Sequence, residues 1–93
     1  MPHTPRLTGP QVEAELKTVT GWERQGDEIR KTYRCATFAE AIAFVNRVAA
    51  RADALDHHPD ILVQYTRVTL TLSTHDSGGL TELDFRLARE LDA

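Results

Sequence analysis

The apolar residues between positions 38 and 55 constrain the fold of this sequence more than any other feature. They recur at intervals of three and four, as on one face of an α-helix, and they are Phe38, Ala41, Ile42, Val45, Val48, Ala49, Ala52 and Leu55. Thr37 and Glu40 have the spacing of a capping box, which predicts that the helix begins there. The helix must end before Pro59, because the residue preceding a proline is pushed out of the helical region. Residues 56–58 are therefore predicted to join this helix to the next element.

On both sides of this helix the pattern is typical of β-strands. Residues 22–24 and 28–34 are predicted to be two strands joined by a turn at 25–27. Residues 61–66 and 67–74 are predicted to be the third and fourth strands. In the fourth strand, apolar and hydroxyl-bearing side chains alternate strictly. Continued alternation would place His75 on the hydroxyl-bearing face.

Two further helices are predicted near the ends of the chain. Thr8 and Gln11 form a capping-box pattern for a helix that ends near Lys17, and Thr81 and Asp84 form another. Residues 1–6 hold two prolines and are predicted to be a flexible arm. The order helix-strand-strand-helix-strand-strand-helix predicts a single α+β domain over residues 1–93. Short connections between strands favour a four-stranded antiparallel sheet, with the three helices packed on one face.

Composition excludes several classes of protein. The net charge is -3, and no basic cluster offers a surface for nucleic acid. Cys35 is the only cysteine, so neither an intramolecular disulfide nor a cysteine-rich zinc site is expected. The first residues lack the apolar core of a signal peptide, and no stretch is long enough to cross a bilayer. We therefore expect a cytoplasmic protein that does not enter a membrane.

Three of the four histidines lie within nineteen residues. His57 and His58 precede the third predicted strand, and His75 follows the fourth. In an antiparallel hairpin the start of the first strand lies beside the end of the second. The three imidazoles are therefore predicted to converge. If the central helix extends far enough, Asp53 shares a face with His57, four residues later, and its carboxylate orients that imidazole.

These residues resemble a known family, the pterin-4a-carbinolamine dehydratases. The resemblance runs from Leu7-Thr8 through Gly21-Trp22 to the C-terminal helix, and its specific motifs are Asp53-x-x-x-His57-His58-Pro59, Tyr65, Ser73-Thr74-His75-Asp76 and Gly79-Leu80-Thr81-Glu82-x-Asp84. It implies the same antiparallel sheet with helices on one face, in a homodimer or homotetramer. It also implies dehydration of 4a-hydroxytetrahydrobiopterin to quinonoid dihydrobiopterin, in tetrahydrobiopterin recycling. No metal, nucleotide or redox cofactor is implied.

The resemblance also implies a role for each site residue. His57 and His75 are expected to transfer protons, and His58 to contact the pterin. The residues expected to bind substrate are Asp53, Asp56, Ser73, Thr74, Asp76 and Trp22. Asp53 stands where the family typically has a glutamate, and Asp56 where an asparagine is common. Asp84 belongs to the family pattern, but its place in a capping box favours a structural role.

Two other classes of function stay open at this point. A metal site could combine the three histidines with a carboxylate. Adjacent residues of an extended chain point to opposite sides, however, which disfavours a single ion held by both His57 and His58. The second alternative is a protein-binding or assembly module on the same fold. Some members of the family act as partners of other proteins, including a transcription factor, and exposed edge strands can support such contacts.

Overall fold

The computed structural model describes residues 4–92. Within that part of the chain, three α-helices and four strands follow the predicted order: α1 (Gly9–Leu16), β1 (Glu23–Gln25), β2 (Glu28–Arg34), α2 (Phe38–Leu55), β3 (Asp60–Gln64), β4 (Arg67–Leu72) and α3 (Glu82–Leu91). A short 3₁₀ helix, His75–Ser77, lies between β4 and α3. No helix in residues 4–92 is both long and apolar enough to cross a membrane.

The four strands form one antiparallel sheet in the order β1-β2-β4-β3. The last two strands pair as a hairpin in which Gln64 lies opposite Arg67. The connection is therefore a two-residue turn, in which Tyr65 has a φ of 56°. β3 ends two residues earlier than predicted because this turn uses Tyr65 and Thr66. The hairpin confirms the pairing on which the predicted convergence of the histidines depends.

The core lies between the sheet and the helices. The sheet contributes four fully buried side chains, Ile29, Val68, Leu70 and Leu72. The helices cover them with apolar side chains that include Val12, Val48, Phe85 and Leu87. The opposite face of the sheet is polar; there, the hydroxyls of Thr32 and Thr69 lie 2.9 Å apart. The α+β architecture with three helices on one face is confirmed.

The ends of the helices follow the sequence signals closely. The predicted capping boxes at the starts of α1 and α3 are both present. At α2 the Thr37 hydroxyl accepts the Glu40 N–H at 3.1 Å, as predicted. The Glu40 carboxylate, however, accepts from the N–H of Ala36 at 3.2 Å rather than from that of Thr37. The capping box predicted at Thr37 is therefore only half formed.

The N-terminal segment makes defined contacts where the structure describes it. Positions 1–3 of the predicted flexible arm lie outside the described residues. The Leu7 N–H donates to the Leu80 carbonyl at 2.8 Å, and the Thr4 carbonyl accepts from the Ser77 hydroxyl at 2.5 Å. Residues 4–7 therefore run along the connection between β4 and α3.

Candidate active site

The end of α2 determines where the paired histidines point. Asp56 caps the helix in the left-handed conformation, with φ 49° and ψ 43°, which aspartate tolerates better than most residues. The next amide, that of His57, donates back to the Ala52 carbonyl at 3.0 Å. This reversal takes His57 off the helix face that carries Asp53. The expected pairing of Asp53 with His57 is therefore wrong: the Asp53 carboxylate lies 2.9 Å from Nε2 of His58.

His57 is instead paired with Asp84, at the start of α3. The histidine is only 8% exposed and the aspartate is fully buried, and Nε2 lies 2.5 Å from Oδ1. The other carboxylate oxygen accepts from the Thr74 hydroxyl and from the Thr81 N–H, each at 2.9 Å. Because the carboxylate is an acceptor in all of these contacts, Nε2 of His57 is the donor. Nδ1 is then the ring nitrogen free to transfer a proton.

A chain of hydroxyl groups completes this buried network. The Leu83 N–H donates to the Thr81 hydroxyl at 3.2 Å, and the Thr81 and Thr74 hydroxyls lie 2.8 Å apart. With Thr81 donating to Thr74 and Thr74 donating to Asp84, every hydroxyl proton has an acceptor. A buried polar network that is fully paired fixes its members in one arrangement. The structural role predicted for Asp84 is present, and its contact with His57 is an addition that helix capping does not reveal.

His58 and His75 lie in more open surroundings. The pair formed by His58 and Asp53 is exposed on both sides, so it contributes little to stability. His75 begins the 3₁₀ helix, and no residue between Thr4 and Asp92 hydrogen-bonds to its imidazole. β4 ends at Leu72, before the predicted end at Thr74. Strand alternation therefore does not determine the orientation of His75.

All three histidines nevertheless line one open concavity of about 260 Å³, together with Asp56, Ser73, Thr74 and Asp76. The predicted convergence of the three histidines is therefore confirmed. The four other lining residues were also expected to bind substrate. Two larger concavities, of about 410 and 440 Å³, lie on the polar face of the sheet and beside the first turns of α2. Neither is lined by a histidine, so the concavity lined by three histidines is the better candidate for acid–base chemistry near neutral pH. No group of three or more metal-ligating side chains is found in residues 4–92.

Trp22 is not among the residues that line this concavity. Its indole is buried, lies edge-on to the Tyr33 ring at 6.4 Å, and donates to the Asp92 carboxylate at 3.3 Å. The same carboxylate accepts from the Tyr33 hydroxyl at 2.7 Å and from Lys31 at 3.0 Å. Burial, and then the hydrogen bond to Asp92, raise the pKa of Tyr33 far above its ordinary value. Trp22 is therefore part of the packing that anchors the end of α3. Tyr65 lies exposed in the β3–β4 turn.

Comparison with known proteins identifies the family to which this chain belongs. The sequence profile of the family described as pterin 4 alpha carbinolamine dehydratase matches residues 5–93. A relative from Roseiflexus sp. (strain RS-1) is 53% identical over 87 residues, which are 94% of each chain. One from Thermomicrobium roseum is 51% identical over 86 residues, 92% of each chain. Both are provisionally named pterin-4-alpha-carbinolamine dehydratase. The chain belongs to the pterin-4a-carbinolamine dehydratase family.

Solved structures agree with this assignment. A protein from Brucella melitensis, described as a transcriptional coactivator/pterin dehydratase, has a TM-score of 0.89 and 35% identity, covering 94% of this chain and 95% of its own. A pterin dehydratase-like protein, described as a RuBisCO assembly factor in the alpha-carboxysome, has a TM-score of 0.66 and 27% identity, covering 77% of this chain and 86% of its own. The fold therefore occurs in proteins described as a coactivator or an assembly factor as well as in those named dehydratases.

Proposed function

We propose that this protein is a hydro-lyase that dehydrates 4a-hydroxytetrahydrobiopterin to quinonoid dihydrobiopterin, in cytoplasmic tetrahydrobiopterin recycling. One observation carries the proposal: three histidines line a single concavity, and one of them is paired with a buried carboxylate. Membership of the family supports the pterin as the substrate.

The reaction needs one acid and one base. The C4a–O bond breaks, and the departing hydroxyl takes a proton from the acid and leaves as water. The base removes the proton from N5, and the electron pair of that N–H bond forms the C4a=N5 double bond. One proton is given and one is taken, so no net proton is consumed. A histidine with its ordinary pKa of ~6.5 performs either role near neutral pH.

The contacts suggest how the proton transfers are divided. His57 keeps Nε2 on Asp84, so Nδ1 transfers the proton, and the carboxylate compensates the positive charge of the doubly protonated ring. His75, whose imidazole bonds to none of the described residues, is the second proton-transfer residue. His58 and Asp53 hold the pterin ring from the exposed side. Asp56, Ser73, Thr74 and Asp76 complete the binding surface.

The proposal is tested with purified protein stripped of metal by a chelator. It should accelerate dehydration of enzymatically generated 4a-hydroxytetrahydropterin above the rate in buffer. His75→Ala and His57→Gln should each lower the rate by roughly 10²-fold or more, as expected for lost acid–base catalysis. Glutamine is chosen at position 57 because its amide nitrogen reaches the place of Nε2 and can still donate to Asp84. Arg86→Ala, on the exposed side of α3, is the control. A wild-type rate no higher than that of buffer would refute the enzymatic function.

We also infer that the protein is a homo-oligomer, a dimer or a tetramer. Among residues 4–92, five large apolar side chains are exposed, namely Phe38, Ile42, Ile61, Leu62 and Tyr65. Two of them lie on α2 and two on the edge strand β3, and both elements suit pairing with a second copy. Light scattering coupled to size-exclusion chromatography measures the mass directly. A monomer at micromolar concentration would contradict the inference.

The second candidate function is a protein-binding or assembly module. It is favoured by the similar structure described as a RuBisCO assembly factor and by the same exposed apolar side chains. The two functions are separated by the double variant His57→Gln/His75→Ala. A binding module keeps its partner when both histidines are replaced, whereas an enzyme loses turnover.

A further inference from the structure

We propose that Arg6 is a positioning residue for His75. Residues 4–7, here called the N-terminal strap, hold the loop of residues 74–79, here called the His75 loop, against the rest of the domain. The proposal rests on the proposed function, because it assumes that His75 transfers a proton in the dehydration. The N-terminal strap belongs neither to the histidine motifs nor to the lining of the concavity.

His75 needs such support because no described side chain orients it. His57 is held by Asp84 and His58 by Asp53, but the place of His75 depends on the backbone of its own loop. Within the loop, the amides of Ser77, Gly78 and Gly79 donate to carbonyls of Thr74 and His75 at 3.0–3.3 Å. These bonds give the loop its shape. These backbone bonds alone do not fix the loop relative to the other wall of the concavity; at its first residue, the Thr74 hydroxyl does so through Asp84.

The strap supplies that external support on one side of the loop. The Thr4 carbonyl accepts from the Ser77 hydroxyl, and the Arg6 side chain packs directly on Gly79. A Cβ added at Gly79 would lie 2.8 Å from Nε of Arg6, closer than real Cβ contacts allow. Gly79 is not in the left-handed region. Glycine at this position therefore serves the close approach of the guanidinium rather than an unusual backbone conformation.

The turn between β1 and β2 supports the start of the loop. The backbone carbonyl of Asp27 accepts from the Ser73 hydroxyl at 2.8 Å, and the carboxylate of Asp27 accepts from Arg6 at 2.9 Å. Arg6 therefore contacts both the His75 loop, at Gly79, and the β1–β2 turn, at Asp27. This ion pair is more than half exposed on both sides and contributes little to global stability. Its loss should loosen the loop without unfolding the domain.

The test compares Arg6→Ala with Arg86→Ala in the full chain. Both arginines are similarly exposed, 55% and 57%, and each forms a surface ion pair, but Arg86 does not contact the His75 loop. Amide hydrogen exchange at Ser77, Gly78 and Gly79 reports loosening of the loop. In Arg6→Ala we expect exchange there to be roughly tenfold faster and kcat to fall roughly tenfold, since small misplacement of a catalytic group is costly. KM and the melting temperature should match those of Arg86→Ala.

A second variant removes the contact without removing the arginine. Gly79→Ala places a methyl group 2.8 Å from Nε of Arg6, so the flexible arginine side chain must shift away from the loop, and kcat should fall in the same direction. Unchanged exchange at the three amides in Arg6→Ala overturns the proposal, whatever the activity. Faster exchange with unchanged kcat in an active protein overturns the link to catalysis. An inactive wild type refutes the proposed function, and the catalytic part of this proposal with it, while exchange still decides whether Arg6 holds the loop.

Discussion

Replacing Asp84 with asparagine perturbs the buried charge that orients His57. The amide has the shape of the carboxylate, but a nitrogen that donates replaces one of the two oxygens that accept. If the nitrogen takes the place of Oδ2, it meets the Thr81 N–H, and two donors face each other. If it takes the place of Oδ1, it donates to Nε2 of His57. The second arrangement keeps the cap of α3, so we expect it to prevail, and it forces the ring proton of His57 onto Nδ1.

The size of the effect follows from these contacts. With Nδ1 protonated in the neutral ring, His57 has lost the nitrogen that accepts a proton, and we expect kcat to fall by about 10²- to 10⁴-fold. Stability should fall less. A hydrogen bond to a charged group contributes roughly 1.5–3 kcal/mol and a neutral one roughly 0.5–1.5 kcal/mol, so the cost is about 1–2 kcal/mol. For a domain of this length that lowers the melting temperature by roughly 5–15 °C.

Two measurements separate the catalytic effect from the structural one. Long-range ¹H–¹⁵N spectra identify which ring nitrogen of His57 carries the proton, and calorimetry gives the melting temperature. The control is Asp53→Asn, which makes the same chemical change on the exposed partner of His58 and should leave both the tautomer of His57 and the melting temperature unchanged. Asp84→Asn with an unchanged tautomer and full turnover would refute the proposed orientation of His57.

Four further substitutions, at three positions, test other parts of the structure. The pKa of Tyr33 is raised, chiefly by burial, so the folded protein keeps the phenol proton near pH ~10, where the unfolded chain loses it. This contribution to stability is fully present below that pH and falls above it, by at most ~1.4 kcal/mol per pH unit. Urea unfolding of Tyr33→Phe should lack this part of the alkaline slope. Thr37→Ala removes the hydroxyl that caps α2 and should lower the free energy of unfolding by about 1 kcal/mol, measured by urea titration. Thr74→Val deletes the hydroxyl bonded to Asp84 and should lower the free energy of unfolding by about 1–3 kcal/mol, measured by thermal melts. Thr74→Ser keeps the hydroxyl and should retain most of that stability.

The order of the elements could be predicted because its signals are local. A helical period of three to four, a strand period of two and the hydroxyl residues before each helix all act within a few positions. The errors lie where a turn lacks its usual residues or where a contact outside the regular strand pairing ends a strand. The end of β3 depends on a two-residue turn with Tyr65 at φ 56°, and no glycine or asparagine in the sequence signals it. β4 is cut short because Thr74 pairs with Gly79 in an isolated bridge.

The convergence of the histidines was predictable, but the position of Trp22 outside the concavity and the hydrogen bonds within the site were not. The histidines were expected to converge because a short link forces β3 and β4 into a hairpin, and that reasoning needs no side-chain detail. The partner of His57 is different. Helical spacing favoured Asp53, but the left-handed conformation of Asp56 turns His57 toward the interior. Asp84 lies 27 positions away along the chain, and only tertiary packing brings it there. Beyond its place in the capping box with Thr81, the family pattern was the only sequence signal for Asp84.

Thr74 connects the two halves of the proposed chemistry. Its hydroxyl donates to the carboxylate that holds His57, and its backbone pairs with Gly79 to close the loop that carries His75. The two histidines proposed to transfer protons are thus supported by one residue through different groups, a side chain for His57 and a backbone for His75. Since a buried, fully paired network resists displacement, the end of the loop at Thr74 is fixed by the same bonds that orient His57. The opposite end, at Gly79, is joined to Thr74 by backbone bonds alone, and there the Arg6 side chain supplies a further contact.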